Sequence, residues 1–157
     1  MKNRIRIAFL AFGLLFGCNS EADYKVTRQE VMDLHDKLMI DGEIAIRNKM
    51  RLDTLGKQGL KKLKSTLIEL DTLLEKQQID RLIAMLNGAD DQMMDWMHNF
   101  QADVEGKSNA QAVAYFQGEK VKLYKLDSIY RTALAQSDEY LKRFKLNVPQ
   151  THGDHHH

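Results

Sequence analysis

Two clusters of sulfur and nitrogen side chains are the residues of this chain that could do chemistry. The first is His35 with Met39 one helical turn later, and the second is the segment 93–98 (MMDWMH). Thioether and imidazole donors together suit soft monovalent ions such as Cu(I) or Ag(I). The indole of Trp96 can shield such an ion by a cation–π contact. The soft-metal hypothesis therefore uses Cu(I), with Trp96 as the packing cap and with the ligands His35, Met39, Met93, Met97 and His98.

The same side chains also have a purely structural interpretation. Methionine is a flexible gap-filler of helical cores, and a neutral histidine can be buried if one ring nitrogen is hydrogen-bonded. For His35 that partner would be a backbone carbonyl or Trp96. If the second segment is rotated, Met94 and His98 replace Met93 and Met97 as the candidate ligands. A haem with histidine and methionine ligands would need four facing helices, which the pattern does not predict.

A third metal-binding feature is the C-terminal tail, THGDHHH. Short histidine-rich tails capture transition metals weakly and without fixed geometry. The residues that could do so here are His152, His155, His156 and His157.

Motifs of enzymes are missing from the sequence. There is no glycine-rich phosphate loop, no G-x-S-x-G and no H-E-x-x-H. The single cysteine, Cys18, excludes an internal disulfide and a cysteine-based zinc or iron–sulfur site within one chain. The adjacent Asp90 and Asp91 are interpreted as charges at the start of a helix. We therefore expect a protein that is not an enzyme.

The N-terminus has the pattern of a lipoprotein signal peptide. Lys2, Arg4 and Arg6 precede an uncharged apolar run over residues 7–17 (IAFLAFGLLFG), which is too short to span a bilayer. The run ends at Cys18 in a lipobox-like Leu-Phe-Gly-Cys. We expect cleavage after residue 17, lipidation of Cys18, and a tether over residues 18–23. The sequence thus predicts a cell-envelope protein that is held to a membrane, expected to be the outer membrane, by its lipid and that meets an envelope protein partner on the periplasmic or surface side.

The charge of the mature chain excludes nucleic-acid binding. Loss of residues 1–17 removes three of the 23 Lys and Arg residues and leaves 20 against 22 Asp and Glu. There is neither a strongly basic balance nor a basic stripe interleaved with aromatic residues.

Helical spacing of apolar residues sets the predicted elements. One proline and nine glycines in 157 residues argue against an all-β fold. We predict a first helix over 23–55 capped by Gly56, a second over 60–86 with a leucine seam from Leu60 to Leu74, and a last helix over 110–145. A break at Asn87-Gly88 separates a short helix over 89–102.

These elements predict an all-α fold: an elongated antiparallel bundle of three long helices plus a short Met/Trp-rich helix. The bundle covers residues 24–146, and a His-rich tail covers 147–157. His35 and Trp96 each lie on the apolar face of their segment, so we expect both to be largely buried and close together.

The chain resembles a family of small Bacteroidota lipoproteins that often carry the label "viral A-type inclusion protein". The resemblance lies in the lipobox, in His35-Asp36-Lys37-Leu38-Met39 and in Met93-Met94-Asp95-Trp96-Met97. The family shares H-D-x-x-M in the first helix, M-M-x-W-M near the middle and a tyrosine-rich last helix, which Tyr115-Phe116 and Ile129 match here. Ile40 stands where the family often has a proline. The resemblance implies the envelope compartment, a helical fold and packing of the two motifs against each other, but no activity.

Overall fold

The computed structural model describes residues 22–144, and every regular element in that range is a helix. The elements are α1 (Tyr24–Thr54), a π-helical turn (Leu55–Gly59), α2 (Leu60–Lys64), α3 (Thr72–Asn99) and α4 (Asn109–Arg143). The prediction of an all-α fold is confirmed. The predicted signal peptide, Cys18 and the histidine tail lie outside the described residues.

Side-chain caps begin the three long helices. The Asp23 carboxylate accepts the backbone N–H of Lys25 at the start of α1, and Asp71 accepts two N–H groups at the start of α3. Ser108 and Gln111 form a reciprocal capping box at the start of α4. Each cap satisfies N–H groups that have no partner inside the helix.

Paired side chains define the directions of the helices. Near its start α1 meets the start of α4, where the Tyr24 N–H donates to Asn109, and further along the Asn48 amide donates to Ser137. These two helices therefore run parallel. Helix α3 runs against both, because its late residue Trp96 lies on the early residue His35, and its early residue Glu75 meets the late residue Tyr140.

The core lies between α1, α3 and α4 along their whole length. Each long helix contributes apolar side chains at spacings of three, four or seven residues, as expected of a core-facing stripe. The innermost of these, all fully or almost fully buried, are Val31, Leu38, Leu52, Ile79, Leu86, Phe116, Leu123, Tyr130 and Leu141.

The predicted second helix over 60–86 is wrong, because α2 stops at Lys64 and a loop precedes α3. The Ser65 and Thr66 hydroxyls turn back onto the Lys62 carbonyl, and Asp71 caps a new helix. Side chains of this kind compete with the helical backbone for hydrogen bonds. The leucine seam is consequently broken, and Leu67 and Leu74 are exposed rather than packed.

The Met/Trp segment is not a separate short helix but the second half of α3. Helix α3 continues through Asn87-Gly88, so Asp90 and Asp91 are helix-interior residues and not a helix start. A glycine costs about 1 kcal/mol inside a helix. Burial of Leu86 and Ala89 on either side of Gly88 outweighs that cost.

Gly56 does not cap α1. Its predecessor Leu55 keeps right-handed helical angles, and the chain continues through the π-helical turn into α2. A side chain at Gly56 would meet Ile79 of α3, with the nearest atom 3.5 Å from a built Cβ. This is an ordinary van der Waals distance, so the π-helical turn packs against α3 here without requiring a glycine.

Candidate functional site

The two sequence motifs meet at the rings of His35 and Trp96. The ring centroids are 5.6 Å apart and the planes are tilted by 33°. Trp96 is buried, and the His35 side chain is 20% exposed. This is the contact that the two apolar faces predicted. His35 makes its hydrogen bond neither to a carbonyl nor to Trp96, but from Nδ1 to the Asp36 carboxylate at 2.9 Å.

Trp96 is also tied to α4 through a buried carboxylate. Its indole Nε1–H donates to Oε2 of Glu119 at 2.9 Å, and the other oxygen of Glu119 accepts from Lys122 at 2.7 Å. Glu119 is only 4% exposed. A buried carboxylate needs such partners, because an unpaired charge in the interior is costly.

A chain of aromatic rings leads from Trp96 toward the start of α1. Trp96 stacks on Phe100 at a centroid distance of 4.7 Å, Phe100 contacts Phe116 at 6.3 Å, and Phe116 stacks on Tyr24 at 6.5 Å. Tyr115 meets the edge of Phe116 at 5.2 Å. Offset and tilted arrangements of this kind stabilise a core beyond the area that they bury. The candidate site is thus built into the end of the bundle that the predicted tether joins.

The predicted sulfur ligands are divided between the core and the surface. Met93 is buried in the core, and Met97 packs against it while partly exposed. Met39 is 43% exposed and Met94 is 50% exposed. His98 is exposed, and its Nδ1 lies 2.8 Å from the Met94 carbonyl oxygen. The structure thus brings His35 and Trp96 into contact, but it points Met93 away from the surface.

The two imidazoles share one protonation pattern when neutral. Carboxylate and carbonyl oxygens only accept hydrogen bonds, so Nδ1 must be the donor in both His35 and His98. The lone pair of each neutral ring is therefore on Nε2. A histidine that binds a metal through Nε2 usually has its other nitrogen engaged in this way.

A group of charges on α1 and α4 was not foreseen from the sequence. Lys37 bonds to Asp127 and lies 4.0 Å from Asp41. Within residues 22–144, Oδ2 of Asp41 is buried without a hydrogen-bond partner. Burial raises the pKa of the Asp41 carboxyl, and the Asp127 carboxylate adds to this, while Lys37 and Arg131 oppose it.

Glu119 and Glu75 are further buried acids that sequence reasoning missed. Glu119 falls between Phe116 and Leu123 on the apolar stripe of α4, and Glu75 lies four residues before the buried Ile79. An acid in an otherwise apolar register was the available signal. Glu75 accepts from the Tyr140 hydroxyl at 2.7 Å.

Of the twelve large apolar side chains that are exposed in the described residues, four lie together at the other end of the bundle. We call Leu67, Ile68, Leu73 and Leu74 the apolar tip; they surround the loop between α2 and α3 and are 52%, 78%, 68% and 52% exposed. The last residues of α4 reach the same end, since Arg143 pairs with Glu75 at 2.9 Å. A group of exposed leucines at one end of a helical bundle is typical of a contact surface.

Two further findings concern metal sites and membrane spans. Over residues 22–144, no three His, Cys, Asp or Glu side chains are grouped so that they could hold a metal ion. None of the helices in that range combines the length and the apolar character needed to cross a bilayer.

Comparisons of the chain with protein-family models, with curated proteins and with solved structures found no match.

Proposed function

We propose that the protein is a non-catalytic, lipid-anchored helical module of the cell envelope that binds another envelope component. The observation that carries this proposal is the position of the apolar tip at the end of the bundle opposite Tyr24. The tether predicted over residues 18–23 would hold the Tyr24 end at the membrane. The bundle then acts as an elongated antiparallel spacer that presents the tip.

The resemblance to small envelope lipoproteins supports this role. Its two motifs contribute the His35–Trp96 contact, and Glu119 ties the same tryptophan to α4. Under this proposal the motif residues stabilise the membrane-proximal end, and binding occurs elsewhere. The exposed apolar tip and the packed motif residues both fit a protein that is anchored in the outer membrane and is not an enzyme.

Lipidation is the first test of the proposal. The native chain should be labelled by a radioactive fatty acid and should partition into detergent, with its mature N-terminus at Cys18. Cys18→Ala should abolish the label and leave uncleaved or soluble protein. Retention of the Ala variant in washed outer membranes at high salt would contradict lipid anchoring.

A second candidate function, binding of Cu(I) or Ag(I), is favoured by the protonation of the two imidazoles. His35 and His98 both place the neutral ring's lone pair on Nε2. Helices α1 and α3 run in opposite directions. The residue one turn after His35 on α1 is therefore at about the same height along the bundle as the residue one turn before His98 on α3. Met39 and Met94 occupy those positions and are both exposed. The thioether donors would then be Met39, Met94 and the partly exposed Met97 rather than the buried Met93.

The metal candidate is tested on a chain that ends before His152, so that the tail cannot contribute. Under reducing conditions it should take one Cu(I) from a weak competing chelator. His35→Ala and Met39→Leu should each abolish this competition, whereas Met50→Leu on the same helix should not. Zinc should bind only to chains that keep the histidine tail, since thioether is a poor zinc ligand. Failure to compete with a weak chelator would leave His35 as a packing residue.

A further inference from the structure

The loop that carries the apolar tip is internally hydrogen-bonded. The Lys64 ammonium donates to the carbonyl oxygens of Ile68 at 2.6 Å and Leu70 at 2.7 Å. The Leu63 carbonyl accepts the N–H groups of Thr66 and Leu67. In water such carbonyls need no partner from the protein. In an apolar environment each unpaired one would cost several kcal/mol.

Loops that face water usually carry polar side chains, whereas this loop carries exposed apolar ones. Ile68 is the most exposed large apolar residue of the described chain, and Leu73 is the next most exposed of the tip residues. Leu63 and Leu70 pack against the core beneath them, so the loop is held in place from below. The loop therefore combines several internally hydrogen-bonded carbonyl oxygens with apolar side chains that are exposed to water.

The charges around the tip are mainly basic. Residues 57–71 contain four lysines and two acids. Lys64 is engaged with the loop, Lys57 pairs with Asp53, and Asp71 caps α3. The second acid, Glu69, is exposed next to Ile68, so the exposed balance remains basic only through the two lysines Lys61 and Lys62. Lys61 and Lys62 are exposed and form no ion pair within residues 22–144. Exposed lysines beside apolar side chains are complementary to an anionic lipid surface.

A second copy of the chain fits the tip less well. The end of a three-helix bundle is about 20 Å across, so a tip-to-tip contact would bury about 800 Å² in total, less than the roughly 1,200 Å² of a stable interface. It would also bring Lys61 and Lys62 of one copy near those of the other. Binding to a bilayer does not need a buried interface of this size, because the insertion of a few apolar side chains is enough to hold a protein at the surface.

We propose that the apolar tip inserts into the headgroup region of an anionic phospholipid leaflet, with Leu67 and Ile68 entering the leaflet and Lys61 and Lys62 meeting lipid phosphates. This inference rests on the proposed binding role of the tip and names its ligand. It does not depend on lipidation, since the tip lies at the end of the bundle opposite Tyr24, which the predicted tether joins.

The experiment uses the chain from Asn19 to His157, which has no signal peptide and no lipid but carries all the described helices. Flotation is measured with vesicles of phosphatidylcholine alone and with vesicles containing phosphatidylglycerol. The chain should float with the anionic vesicles only, and less at high salt. Leu67→Ser combined with Ile68→Ser should lower the partition coefficient at least about tenfold. Lys61→Gln and Lys62→Gln should each lower it about fivefold.

The matched control removes two apolar side chains from another exposed surface. Val121 and Tyr124 on α4 are each 55% exposed, and their double replacement by Ser should leave flotation unchanged. Equal flotation of the tip variant and the native sequence would overturn the proposal, as would equal binding to neutral and anionic vesicles. A dimer in sedimentation that the tip variant dissociates, without flotation, would assign the tip to a second copy instead. If this unlipidated chain floats with neither kind of vesicle while the full chain is still lipidated in cells, the insertion of the tip is ruled out. The lipid-anchored module then remains, with a different ligand for its tip.

Discussion

Trp96 is one of the α3 residues that connect all three long helices; Asp90, which accepts from Lys49 and Tyr130, is another. From α3 the ring of Trp96 packs on His35 of α1, and its indole N–H reaches Glu119 of α4. The two contacts differ in chemistry. The contact with His35 depends on the packed area of the indole ring, and the contact with Glu119 depends on one hydrogen bond from the indole N–H. Substitutions can therefore separate them.

Trp96→Ala should lower the free energy of unfolding by about 3–5 kcal/mol, the usual cost of deleting a buried aromatic side chain. Trp96→Phe keeps part of the ring packing but leaves Glu119 with Lys122 as its remaining partner. We expect a smaller loss of about 1–3 kcal/mol, since the buried carboxylate loses one hydrogen bond. Urea denaturation measures both. Tyr124→Ala on the exposed surface of α4 is the control and should change stability by no more than about 0.5 kcal/mol. Equal losses for Phe and Ala would show that the hydrogen bond dominates.

Asp41 should make stability depend on pH. Burial raises the pKa of its carboxyl, so the folded chain holds the proton more tightly than the unfolded chain. The stability gained from protonated Asp41 is therefore present below the ordinary carboxyl pKa of about 3.9 and is lost as pH rises through the raised value. Asp41→Asn imitates the protonated form. It should be more stable than the native sequence at pH 7, with the difference vanishing below pH 4.

Urea titrations from below pH 4 up to pH 8 measure this difference. Glu43→Gln, an exposed acid on the same helix, serves as the control and should follow the native pH profile. If the free energy of unfolding of Asp41→Asn followed the native pH dependence as well, the buried oxygen of Asp41 would not destabilise the fold.

At the scale of elements, two glycines should respond to alanine in opposite ways. Gly88 is inside α3, and a built Cβ there meets no atom within 4 Å. Gly88→Ala should therefore raise stability by about 0.5–1 kcal/mol through helix propensity. Gly106 precedes α4 with φ at 79°, where alanine is strained, and Gly106→Ala should lower stability by about 1 kcal/mol. Thermal unfolding of the two variants measures both signs. A destabilised Gly88→Ala would indicate that α3 bends at this point after all.

The sequence allowed the all-α fold, the start of α1 and the bounds of α4 to be predicted closely, because apolar spacing and N-terminal caps agree there. The interior of the chain was predicted less well. Leu67 and Leu74 continue a helical repeat, yet Asp71 starts a new helix between them. Asn87-Gly88 looked like a break, yet packing carried α3 through it. At the first place local hydrogen bonds of Ser65, Thr66 and Asp71 end one helix and begin another, and at the second place tertiary packing continues the helix. Apolar spacing alone reveals neither effect.

The candidate site was predictable to the same extent. The apolar register placed His35 and Trp96 on faces that meet. The same register places Met93 with Trp96 on the core-facing side and Met94 off it, so the ligand set that used Met93 conflicted with the apolar pattern. It could not show that Glu119 accepts the indole hydrogen, because the sequence does not reveal which helix covers an acid.

At the scale of the whole molecule, the helices α1, α3 and α4 share one continuous core. A chain of residues 22–144 should therefore unfold in a single cooperative transition. Differential scanning calorimetry measures this, and two separate transitions would show that the helices do not unfold as one unit.

Three long helices in sequence place the chain's entry at one pole of the bundle and its exit at the other. Tension between Tyr24 and Phe144 would pull the parallel α1 and α4 past each other along their axes. Their cross-links include the pairs Glu30–Lys120, Lys37–Asp127 and Asn48–Ser137, which are spread along the seam. All of them carry the load together, whereas a hairpin pulled open at one end would release its contacts one by one. The parallel seam thus makes the bundle resist mechanical force applied between Tyr24 and Phe144.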